Sequence, residues 1–70
     1  MEHDWITVFS TGNYYRAHFA KELLSDQGIE SIIINKTDSG MLHPSGYVEV
    51  HVRREDLIKA MHFLKTAHFE

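Results

Sequence analysis

Leu23-Leu24-Ser25-Asp26-Gln27-Gly28-Ile29-Glu30-Ser31-Ile32-Ile33-Ile34-Asn35 is the stretch that decides the fold. Up to Gln27 the apolar residues keep helical spacing. Gly28 stands where a left-handed C′ residue ends a helix, and Ile29 is placed for the apolar contact that goes with such an ending. From Ser31 onward three consecutive isoleucines give a β-branched run of strand composition. A helix that stops at glycine and hands over at once to a strand marks a small α+β unit.

Working outward, Trp5-Ile6-Thr7-Val8-Phe9 is β-branched and aromatic throughout, which predicts a strand over Trp5–Ser10. Ser10-Thr11-Gly12-Asn13 offers three side chains able to cap a helix start. The first helix is predicted over Asn13–Gln27. Ala17, Ala20 and Leu24 form its inner face, Leu23 widens it, and Tyr15, Phe19 and Leu23 form a flanking stripe. The second strand is predicted over Ser31–Lys36, and Thr37–Ser45 has the composition of a connecting loop. Tyr47-Val48-Glu49-Val50-His51-Val52 alternates strictly, with valines on one face and Tyr, Glu and His on the other. A second helix starts near Arg54. Glu55 and Asp56 favour its first turn through the helix dipole. Leu57, Ala60, Met61 and Leu64 give its buried stripe, and it frays after Thr66.

The order is β-α-β-β-α in one domain spanning residues 1–70. A parallel crossover that leaves room between its strands accepts a third strand by antiparallel pairing. The expected fold is α+β and ferredoxin-like, lacking the final strand. It has a three-stranded antiparallel sheet of order 1-3-2 with both helices on one face.

Composition narrows the function classes. A seventy-residue chain buries only about 60% of its unfolded surface, so its core is thin. It has no cysteine, which removes disulfides and thiolate metal sites and leaves oligomerisation as the common way to add stability. The net charge of −3 argues against nucleic acid, whose binding normally needs a basic face. No apolar run approaches a membrane span, and Met1–Asp4 lacks the basic start of a secretory signal. The expectation is a cytoplasmic domain that engages neither membrane nor nucleic acid.

Several residues together resemble a known family. They are Val8-Phe9-Ser10, Asn13 with Ala17, Leu23-Leu24 with Gly28-Ile29, Asn35, and Val50 and Val52 followed by Glu55-Asp56 and Ala60. From about Ile6 to Leu64 the chain resembles a small bacterial family of unknown function described as a prokaryotic signal transducing protein. The resemblance implies a fold similar to the nitrogen-regulatory PII-like class of ferredoxin-like domains. It brings no catalytic residue, ligand or partner. PII proteins place nucleotide contacts on long loops, and Thr37–Ser45 is short, which argues against a PII-type ligand.

Four sets of residues are candidate sites. If Ile6 and Val8 face the helices, Trp5, Thr7 and Phe9 face away, as do Tyr47, Glu49 and His51. At least one isoleucine of the second strand joins them whichever register that strand takes, and Ile33 is the candidate. Trp5, Phe9, Ile33 and Tyr47, with Glu49 and His51, then form an apolar contact face of the kind that marks a protein interface. Cover by the N-terminus or by His68-Phe69-Glu70 is the plainer reading. The free edge of the first strand is a second place for another chain to pair. Asn13, Lys36, Arg53 and Arg54 are candidate anion or nucleotide ligands near helix starts, against ordinary capping and solvated arginines. His18 and Glu22 share a helix face, but no third metal ligand is indicated, and His43, His51, His62 and His68 read as unconnected. Asp38, Ser39, His43 and Ser45 include nucleophile-triad residue types, yet turn chemistry accounts for all four. The sequence thus points to a non-catalytic interaction or regulatory module with no cofactor. It would partner itself, as a homodimer through the open sheet face or the edge of the first strand, and an unidentified protein. A small-ligand sensor is the alternative.

Overall fold

The computed structural model describes residues 4–36 and 47–69. Its elements are β1 (Trp5–Thr11), α1 (Tyr14–Asp26), β2 (Ser31–Asn35), β3 (Val48–Arg53) and α2 (Leu57–Thr66). A short 3₁₀ turn, Arg54–Asp56, leads into α2. The sheet order is β1-β3-β2, and β3 runs antiparallel to both neighbours. This is the predicted ferredoxin-like order and topology. The candidate loop residues Asp38, Ser39, His43 and Ser45 lie outside the described residues.

The strict alternation of β3 sets the layers. Val48, Val50 and Val52 are buried in one cluster with Ala17, Ala20 and Leu24 of α1 and Ala60 and Leu64 of α2. Both helices therefore lie on the valine face. Three alanines stand at the helix–sheet contacts, and their small side chains let the helices approach a thin sheet closely. Ser31 is the buried polar side chain of the layer, and its hydroxyl has no hydrogen-bond partner among the described residues.

Two expected face assignments are corrected by register. Thr7 pairs with His51, but Phe9 pairs with Val50, so Val8 is an extra residue in a β-bulge. Residues that pair directly across a sheet share a face. The bulge therefore turns Phe9 toward the helices, where it packs against the core. Ile33 also pairs with Val50 and packs on the helix side. Ile32, opposite His51, and Ile34, opposite Glu49, take the open face instead.

The two helices end alike. After α1, Gly28 has φ 76°, its N–H donates to the Ser25 carbonyl at 2.9 Å, and Ile29 N–H donates to Leu24 at 2.9 Å. After α2, His68 has φ 59°, its N–H donates to Lys65 at 3.0 Å, and Phe69 N–H donates to Leu64 at 2.9 Å. Both are Schellman endings, and each sends the next apolar residue, Ile29 or Phe69, into the core. The second helix does not fray after Thr66, and Phe69 covers the helix side rather than the open face. A histidine at positive φ carries a Cβ clash that glycine lacks. His68→Gly should therefore stabilise the fold by about 0.5–1 kcal/mol, after part of the relief is lost to the freer unfolded chain. A urea midpoint that stays put or falls would contradict this.

Candidate protein-interaction face

The sheet face opposite the helices is built from outward positions on all three strands. β1 contributes Trp5, Thr7 and Ser10, and β3 contributes Glu49, His51 and Arg53. β2 contributes Ile32 and Ile34. The alternation of β3 carries on to half-buried Tyr47. Trp5, Ile32 and Ile34 are half-buried, yet none of them packs on the core. No helix or strand among the described residues covers them.

The centre of this face is polar. His51 Nε2 lies 3.0 Å from Glu49 Oε1 and 3.0 Å from the Thr7 hydroxyl. The Thr7 hydroxyl also donates to Glu49 Oε1 at 3.4 Å. At the edge, the Arg53 guanidinium sits 4.7 Å above the Trp5 ring and donates to Glu30 at 2.9 Å. That ion pair is solvent-exposed and adds little stability, but it holds the guanidinium over the indole. The face thus has a hydrogen-bonded centre flanked by isoleucines on one side and a stacked tryptophan on the other.

The His51 hydrogen bond, and more weakly the charge of Lys36, hold the Glu49 carboxyl below the ordinary glutamate range. The ionised form is therefore favoured in the folded state. This contribution is complete above the unfolded value of about 4.3 and disappears as pH falls through the lower folded value. Glu49→Gln should accordingly flatten the loss of stability between about pH 6 and about pH 3. Parallel stability–pH curves for the two proteins would show that the contact contributes nothing.

The anion candidates do not converge. Asn13 caps α1, its side-chain oxygen accepting from Tyr15 N–H at 2.9 Å and Arg16 N–H at 3.4 Å. Lys36 follows β2 at that same end of the sheet, its N–H donating to the Tyr47 carbonyl at 2.8 Å. Arg53 and Arg54 lie at the opposite end, where β3 meets Trp5. On α1, His18 contacts the Tyr14 hydroxyl at 2.9 Å. No cluster of three or more metal-ligating side chains is present among the described residues.

Residues 5–68, nearly the whole chain, match the family described as "Putative prokaryotic signal transducing protein". The chain belongs to this family. No curated protein and no solved structure matches it. The family's matched span runs from Trp5, at the edge of the open face, to His68, the residue that closes α2. No helix among the described residues is long and apolar enough to cross a membrane.

Sequence reasoning missed the specific isoleucines of this face. The valine alternation in β3 was visible, but placing Ile32 and Ile34 required the strand pairing. The bulge at Val8 has no residue signature, so plain alternation places Phe9 on the open face while the pairing turns it inward.

Proposed function

We propose that this domain is a non-catalytic interaction module of a bacterial signalling system, working in the cytoplasm and self-associating through the open sheet face. The observation that carries this is the juxtaposition of Trp5, Ile32 and Ile34, on a face that no described helix or strand covers, around the Thr7–Glu49–His51 centre. Aromatic and aliphatic anchors around a satisfied polar group suit a protein contact, because the anchors gain from losing water and the centre arrives already hydrogen-bonded. The family description supports the signalling role. The separation of Asn13 and Lys36 from Arg53 and Arg54 favours this reading over a single anion pocket. The contact is symmetric by construction, since an isologous dimer uses the same patch twice.

The test is sedimentation equilibrium on the purified chain. Trp5→Ala and Ile34→Glu alter half-exposed positions, so the fold should survive. Each should weaken self-association at least about tenfold. If neither substitution changes the association constant, the sheet face is not the contact.

A further inference from the structure

The outer surface of α2 carries a second feature that the sheet face does not explain. Ile58 is 81% exposed and Met61 53%, both projecting from a helix whose Ala60 and Leu64 are buried. Beside them is a groove of roughly 330 Å³ between β1 and α2, lined by Val8, Phe9, Met61, His62, Leu64 and Lys65. Ile58 thus stands as a knob one to two turns before a hole on the same helix.

The charges follow the same symmetry. Glu55 and Lys65 lie equally far on either side of Ala60, as do Ile58 and His62. Glu55 and Lys65 are exposed, and neither forms an ion pair among the described residues. If a second α2 is laid antiparallel on the exposed side of the helix, with the two-fold axis level with buried Ala60, Ile58 stands level with the groove at His62, and Glu55 with Lys65. A two-fold axis repeats both contacts in the other direction, because residue i touching j requires j to touch i. Knob, hole, acid and base are therefore self-complementary in one register.

We propose that α2 is a self-association surface that binds the α2 of a second copy of this chain, antiparallel. Each Ile58 seats in the partner copy's groove, and each Glu55 pairs with the other copy's Lys65. This goes beyond the sheet-face reading and does not depend on it. With both contacts present each chain has two partner copies, so association goes beyond the dimer, and with α2 alone it stops at a dimer.

Sedimentation equilibrium on the purified chain tests it. Ile58→Asp changes an exposed residue, and circular dichroism checks that the fold is kept. It should weaken this contact at least about tenfold, in the wild-type background and in Ile34→Glu. Glu55→Lys and Lys65→Glu should each weaken association by repulsion, and the double reversal should restore it, because each reversed lysine again faces a reversed glutamate. An unchanged association constant in Ile58→Asp, or a double reversal no better than the single ones, would overturn the proposal. Loss of association in Ile58→Asp with no effect of Trp5→Ala or Ile34→Glu would sustain the α2 contact and reject the sheet face.

Discussion

Phe69→Ala should lose about 3–5 kcal/mol of stability, a cost typical of deleting a buried aromatic ring. A domain of this length has roughly 4–10 kcal/mol in total, so the variant should be substantially unfolded under mild conditions. Phe69 is 5% exposed although it lies beyond the last helix. Its ring meets Phe9 at 5.0 Å and Phe19 at 5.5 Å, both tilted. The Arg16 guanidinium lies 4.7 Å above it and donates to the Phe69 carbonyl at 2.7 Å. One residue therefore ties α1 and β1 to the end of α2. In a thin core the void left by alanine has few neighbours able to fill it. Phe69→Leu keeps most of the apolar area and should cost less than half as much, since what it loses is the ring stacking. Urea denaturation followed by the fluorescence of Trp5, the single tryptophan, measures both. A Phe69→Ala midpoint close to that of wild type would mean that the ring merely rests on the surface.

That residue also shows where sequence reading stops. The core of α1 and β3 was legible because helical and strand periodicities are local: Ala17, Ala20 and Leu24 recur on one helical face, and three valines alternate. The Gly28 ending was legible because glycine is the usual residue at positive φ. The matching ending at His68 was hidden, since its histidine carries no such signal, and with it went the burial of Phe69. The open face was legible as a surface but not residue by residue. Trp5, Glu49 and His51 follow from alternation alone. Phe9 was turned inward by a bulge, and Ile33 by a pairing register that depends on the partner strand. The α2 stripe is visible as periodicity, yet periodicity alone also places Met61 in the core, and it is 53% exposed. Its exposure becomes evident once Ala60 and Leu64 are seen to take the inner positions.

Leu24→Ala should cost about 2–5 kcal/mol, the second large loss expected in this molecule. Leu24 is fully buried, in a cluster with Ile29, Val50 and Val52. Its carbonyl accepts from both Gln27 N–H and Ile29 N–H at 2.9 Å, so the helix ending and the core meet at one residue. Alanine is at least as good a helix former as leucine, so α1 itself is not weakened by the substitution. The backbone carbonyl is also unchanged, and the Schellman hydrogen bonds remain available. Any loss must then come from the side chain, as lost burial plus the cavity left between α1 and the sheet. Leu24→Met, which conserves volume, should cost less than about 1.5 kcal/mol. A clear gap between the two variants in urea denaturation would place the stability of the α1–β2 seam in packing. Two equally small losses would make the Leu24 side chain a bystander at the junction that sets this fold.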